Sequence, residues 1–210
     1  MRVRRAATVL LGAIVGMSAG CRGIRRGTPL LVGDRALVYA AVLTELRHES
    51  RAEWVVVDSL LPTDEIDGDL REKVVAELPS TRRMVDAFVE TQRTSSDRFQ
   101  SVTLPGAKWA TVSMLRLDSL RASVRADVAS GNAARGARND TFWQQWQRVF
   151  PGSAGYVILS PASIAEDGQS ALIHVRIACG SVCGETEVRL LKRESSGGWR
   201  TMRRLRLSES

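Results

Sequence analysis

The chain has 210 residues, enough for one ordinary domain with its own core once a leader is set aside and too few for two large ones. Hydrophobic residues make up 44% and charged residues 25%, which excludes the charge-rich, core-poor composition of a disordered chain. The net charge of +7 is not a nucleic-acid signature, because Arg2, Arg4 and Arg5 fall in the first twenty residues, which hold no acid, and the rest of the chain carries +4.

The N-terminus places a basic stretch, Met1-Arg2-Val3-Arg4-Arg5, before an uncharged apolar run from Ala6 to Gly20 and then Cys21. That layout is a signal peptide over residues 1–20. A run of 15 residues is shorter than the roughly 20 that cross a bilayer as a helix, so removal is expected and not a permanent span. Ser18-Ala19-Gly20-Cys21 resembles the lipobox of bacterial lipoproteins, with Ser18 where that family usually carries Leu. The resemblance implies a diacylglyceryl group on the Cys21 thiol and a further acyl chain on its freed amine. Two or more chains anchor stably, since each buried methylene contributes about 0.8 kcal/mol. The same small residues also suit ordinary signal peptidase, which would release the chain unlipidated. The expected partner is therefore a lipid bilayer, reached through acylated Cys21, with residues 21–33 as a flexible tether rich in Arg and Gly.

A single soluble domain is expected over residues 34–210. From Asp34 to Glu49, Leu37, Val38, Ala41, Val42 and Leu46 recur at helical spacing. Trp54 to Val57 reads as a strand, closed by Pro62 and the acidic loop Asp64-Glu65-Ile66-Asp67-Gly68-Asp69. That loop is a poor calcium site, because Ile66 stands where an oxygen ligand is needed, so no metal is assigned. Met84, Val85, Phe88 and Val89 predict a helix capped by Ser80 or Thr81. Leu104-Pro105-Gly106 breaks the chain, Ala110 to Leu115 is a short apolar stretch, and Asp118 is a candidate cap for a brief helix. Ser130 to Asn139 reads as a loop. Phe142, Trp146, Val149 and Phe150 share one face of a helix capped by Asp140 or Thr141, with Trp143 beside them; the core claims such a stripe more often than a stacking platform does.

From Gly155 the period becomes that of strands: Tyr156 to Leu159, Ala171 to Ile177, Glu187 to Leu191 and Trp199 to Leu207, separated by Asp167-Gly168 and Gly197-Gly198. The links are short, so the expectation is α+β, with N-terminal helices packed on a C-terminal four-stranded antiparallel meander. His174 alternates with Ile173 and Val175 and is expected on the more exposed face, or at an edge of the buried one. Cys179 and Cys183 flank the turn between the second and third of these strands. In an exported chain they read as a disulfide, which requires a turn because a continuous strand would hold their Cα atoms about 13 Å apart. The alternatives are a redox dithiol, whose motif is C-x2-C and not C-x3-C, and a metal site, of which two thiols make half.

Phe150-Pro151-Gly152-Ser153-x-Gly155-Tyr156, Leu159-Ser160, Gly168-Gln169-x-Ala171-Leu172, Cys179-Gly180-x-x-Cys183-Gly184 and Gly198-Trp199 resemble a group of uncharacterised exported bacterial proteins. The likeness covers about residues 140 to 205 and departs at Pro161-Ala162-Ser163-Ile164. It implies the sheet and the paired cysteines and no catalytic residue. No G-x-S-x-G elbow, phosphate loop, dinucleotide fingerprint or H-E-x-x-H occurs, so no catalytic residue and no cofactor is assigned. The cations are almost all Arg, with Lys73, Lys108 and Lys192 the lysines, and read as solvated surface more than as a polyanion-binding face. The resulting expectation is a lipid-anchored protein of the bacterial envelope, periplasmic or on the outer surface. Its domain binds an envelope protein or a small molecule, and no nucleic acid. The alternative is an envelope hydrolase, for which His174, Glu185 and Glu187 are the groups to locate.

Overall fold

The computed structural model describes residues 32–58, 68–78, 82–94, 109–131, 138–181 and 183–209. The leader, Cys21, nearly all of the tether, Asp64 to Asp67, the caps Ser80 and Thr81, Leu104-Pro105-Gly106 and residues 132–137 lie outside them. The first helix is where periodicity puts it: α1 (Val32–Ser50) buries Val38, Tyr39, Val42, Leu43 and Leu46, while Leu37 stays exposed. Four more helices are described: α2 (Gly68–Glu77), α3 (Arg82–Thr94), α4 (Met114–Ala129) and α5 (Arg138–Val149). Among the described residues, no helix is long and apolar enough to cross a membrane.

The four-stranded meander is wrong. The strands are β1 (Glu53–Val57), β2 (Ala110–Val112), β3 (Ser153–Leu159), β4 (Ser163–Ile164), β5 (Ser170–Ala178), β6 (Gly184–Arg193) and β7 (Trp199–Glu209). They form one mixed seven-stranded sheet in the order β2-β1-β3-β5-β6-β7, with β4 on β5. β2, β1 and β3 are parallel, and everything from β3 through β5 and β6 to β7 is antiparallel. The physical reason for the error lies in β1. Trp54, Val55, Val56 and Val57 are all buried, because a parallel strand inside a sheet is covered on both faces. The run reads as a strand from its composition, but nothing local in it points to β3, about a hundred residues on.

Helix boundaries shift for local reasons. Ser113 accepts the Arg116 N–H at 3.1 Å, so α4 starts one residue after a serine cap, and Asp118 lies inside the helix and does not cap it. α5 begins at Arg138, which puts Asp140 in its first turn and removes it and Thr141 from the cap. Gly68 and Asp69, read as loop, open α2.

Alternation along the strands sorts the core into layers. On one face α1 packs on Trp54, Val56, Val157, Leu159, Ile173, Val175 and Leu191. On the other, α2 and α3 cover Leu172, Val188, Leu190 and Leu205, and α4 and α5 cover Val55, Val57, Tyr156 and Ile158. The two layers meet at Pro161, which cannot donate to the sheet and separates β3 from β4 along the same side of β5. There Gln92 of α3 donates to the Pro161 carbonyl at 2.8 Å, and the Ala162 N–H donates to the Tyr39 hydroxyl of α1 at 3.1 Å. The broken ladder is thus satisfied from both sides.

One ionic network crosses the α1 face. Arg189 is fully buried on β6; its Nε donates to Glu187 Oε1 at 2.5 Å and its Nη1 to Glu45 Oε2 of α1 at 2.9 Å. Glu45 also accepts from Thr201 at 2.6 Å and from Arg204 at 2.5 Å, and Arg204 reaches Glu49. Burial pushes the Glu45 carboxyl upward, but the Thr201 and Arg204 hydrogen bonds and the charges of Arg189 and Arg204 outweigh it and hold it below the usual carboxylate range. A buried ion pair deprived of one partner leaves a desolvated charge behind. Glu45→Ala should therefore cost about 3 to 5 kcal/mol of stability, whereas the joint change Glu187→Leu with Arg189→Met should cost less than Arg189→Met alone; urea unfolding of the three variants checks both.

A second constraint is steric. β3 shifts register against β1 between Glu53 and Trp54, and Gly155, just past that irregularity, sits at φ 152°. A Cβ there would lie 2.0 Å from the Ala178 carbonyl oxygen and 2.8 Å from the Cys179 Cα. Both obstacles are backbone, so neither can swing aside. Gly155→Ala should lose roughly 3 kcal/mol or more, from positive φ and forced separation of β3 and β5 together; a shift of the denaturation midpoint at unchanged slope would register it.

Candidate functional site

The Cys179–Cys183 disulfide is present, with Cα atoms 5.0 Å apart, and the Cys179 N–H donates to the Cys183 carbonyl at 2.9 Å, closing the tip between β5 and β6. The turn that the glycines permit is made by Gly180 at φ 145°. Cys179 packs against the α1-side core, while Cys183 faces a pocket of about 450 Å³ on the opposite side of the sheet. The volume falls within the range of ligand sites.

Three pieces of chain wall this pocket. α4 supplies Arg121, Val124 and Arg125; α5 supplies Phe142 and Trp143; the sheet supplies Tyr156, Arg176 and Thr186, with the hairpin tip at the end. Helical spacing puts Arg121 and Arg125 one turn apart on α4. Arg176 points to the pocket face because it shares alternation with Leu172 and His174 on β5, opposite Thr186 of β6. Its neighbours on that face are buried while it is exposed, at the end of the strand where the helices stop covering the sheet.

Tyr156 is the pocket's fixed point. Trp143 stacks on it with centroids 5.9 Å apart and planes 18° apart, and Phe142 meets it edge-on at 6.4 Å. Trp146, fully buried beneath, lies 5.2 Å away and donates its indole N–H to Ser153 at 2.8 Å. The Tyr156 hydroxyl accepts from Arg121 Nη2 at 2.9 Å, and that guanidinium lies 5.9 Å from the ring centroid, within cation–π reach. Arg121 is also bound to Asp118 at 3.3 Å. The lining residues hold three arginines and one acid, Glu185, which is ion-paired with Arg206 at 2.5 Å. The pocket is therefore cationic and aromatic.

The groups considered for hydrolysis are not assembled. Register pairs His174 with Val188 and Glu187 with Val175, so His174 lies on the helix α3 side of the sheet and Glu187 on the α1 side. His174 is buried, which corrects the expectation of an exposed face: Leu172 and Ile173 on either alternation are also buried, because helices cover both sides. Its backbone N–H donates to Ser160 Oγ at 2.9 Å, and its Nε2 has no hydrogen-bond partner. Burial, and then the charge of Arg176, lower its pKa to about 4. Burial raises Glu187, against the pull of Arg189, and its Oε2 also lacks a partner. His48, the other histidine, is exposed on α1. Among the described residues no group of three His, Cys, Asp or Glu is placed to hold a metal ion.

The pocket's arginines are not legible in the sequence, where Arg reads as solvated surface and the aromatics read as core. The second half of that reading is right for Trp146 and incomplete for Trp143, which is half-buried and borders both core and pocket. The usable signal was Arg176, a charge in an otherwise buried strand. No family profile, curated sequence or solved structure matches the chain.

His174 has a thermodynamic consequence. The folded state holds it neutral while the unfolded chain takes up a proton near pH 6.5, so its contribution is complete above that pH and is lost as the pH falls toward 4. The loss reaches about 3 kcal/mol at the low end. Glu187 runs the other way, because a carboxyl whose pKa is raised in the folded state loses stability as the pH rises through its titration. Thermal unfolding between pH 6.5 and 4.5 should show the native chain weakening toward acid, and His174→Leu should flatten or invert that slope.

Proposed function

We propose that this protein is a lipoprotein of the bacterial cell envelope, tethered to a membrane through acylated Cys21, whose α+β domain is a non-catalytic module that binds a small molecule in the pocket beside the disulfide hairpin. The observation that carries the binding reading is that pocket: Tyr156 and Trp143 offer a preassembled aromatic wall, and three guanidinium groups surround it. The polar groups that line such a pocket hold and orient a ligand. The tether rests on the basic, apolar and Ser18-Ala19-Gly20-Cys21 succession of the leader. The hydrolase alternative needs a nucleophile or an acid and base within reach of one another. Its candidates, His174 and Glu187, are buried on opposite faces of the sheet, and Glu185 is tied to Arg206.

Intact mass of the protein taken from its native membranes and alkylated without reductant tests the tether and the cysteines together. The expected species begins at Cys21, carries two or three acyl chains and takes up no alkyl group. A mass without acyl chains, or one with alkylated Cys179 and Cys183, contradicts the proposal and returns the redox and metal readings of the pair.

A further inference from the structure

We infer that the outer face of α5 binds a neutral β-linked glycan, with one sugar ring laid on Trp143 and its hydroxyls taken by the polar side chains beside it. Asp140, Trp143, Gln144, Gln147 and Arg148 line a groove of about 700 Å³ there, a volume within the range of ligand sites. Their spacing of three, one, three and one puts all five on a single stripe of the helix, so the helix itself sets their relative positions. The opposite face is given to the core, where Trp146 is fully buried, while Asp140, Gln144, Gln147 and Arg148 are exposed. The groove is distinct from the pocket beside the hairpin: of the described lining residues, only Trp143 borders both.

Two of the five are held in place before any ligand arrives. Trp143 is half-buried, stacked on Tyr156 and met edge-on by Phe142 at 5.1 Å and by Trp146 at 6.1 Å. Gln147 is pinned through its amide, whose Nε2 donates to the Ser153 carbonyl at 2.9 Å and whose Oε1 accepts from the Gly152 N–H at 3.2 Å. Each of those atoms keeps a further position, a second N–H on Nε2 and a second lone pair on Oε1. Groups fixed in this way lose little entropy on binding. Asp140, Gln144 and Arg148 have no hydrogen-bond or ion-pair partner among the described residues, whereas the adjacent Gln145 is committed to Ser123 and Asp127 of α4.

This set of groups matches the chemistry of a sugar. A β-linked glucopyranose carries hydroxyls around its rim and C–H groups on its flat faces, so one face rests on an indole while the rim meets planar side chains. A carboxylate, an amide and a guanidinium each present two polar atoms side by side, at the separation of two adjacent hydroxyls. One acid and one base among the described lining residues leave no net charge to draw an ion. An anion would face Asp140, and a flat aromatic molecule would strip water from Gln144 and Gln147 without replacing its hydrogen bonds.

Heteronuclear NMR of the full-length protein titrated with cellotetraose tests the site. The indole N–H signal of Trp143, identified by its loss in Trp143→Phe, should move as the sugar is added. Gln144→Ala, a change that suits a helix, should weaken binding about fivefold and leave the unfolding temperature unchanged. Cellotetraose carboxylated at C6 should bind more weakly than the neutral sugar. A Trp143 signal that stays in place overturns the inference, and so does undiminished affinity in Gln144→Ala. Tighter binding of the carboxylated sugar overturns the neutral ligand. Since Gln144 does not line the pocket beside the hairpin, failure here leaves the reading of that pocket standing.

Discussion

Arg189 carries a full charge at a position with no solvent exposure, and its partners come from the two ends of the described chain. Glu187 is its neighbour on β6, but Glu45 lies on α1, and Glu45 in turn binds Thr201 and Arg204 on β7. A guanidinium desolvated to this degree is tolerable only if every element that supplies a partner is in place. The network therefore makes α1 and the last two strands interdependent. Apolar contacts on the same face stabilise the layer, but a helix that slid by one turn would preserve many of those and lose all of the ionic ones.

Much of the architecture was readable where a rule of local periodicity applies. The apolar stripes of α1 and α3 and the alternating strands after Gly155 appear in the structure close to where they are expected. What periodicity could not supply was pairing over distance. Trp54-Val55-Val56-Val57 is a strand from its composition alone, yet only its uninterrupted burial tells that it lies inside a sheet and not at a rim. The same blindness misplaced His174. Alternation in a strand predicts one wet face, and that holds only when one face lacks a covering layer; here helices sit on both.

The candidate site was legible in one part and hidden in another. The two cysteines and their glycines announced a closed hairpin tip. The arginines did not announce a pocket, because twenty-odd similar side chains are scattered along the chain and only topology brings Arg121, Arg125 and Arg176 together. Trp143 shows why aromatic stripes mislead in both directions. One face of its ring belongs to the cluster that holds α5 on the sheet, and its edge of the cluster is also a wall of the cavity, so the choice between core and binding surface was never exclusive.

The strand order has a bearing on how copies of this protein tolerate one another. β2, at one end of the described sheet, is three residues long, and β7, at the other, bears Arg200, Arg203, Arg204 and Arg206. A short edge offers few backbone groups to a passing strand, and the arginines of β7, of which Arg200, Arg204 and Arg206 are ion-paired, cover the other rim with long charged side chains. Open sheet edges are where chance encounters between copies turn into aggregates. With one rim abbreviated and the other covered by long charged side chains, copies of this protein can collide repeatedly and still part.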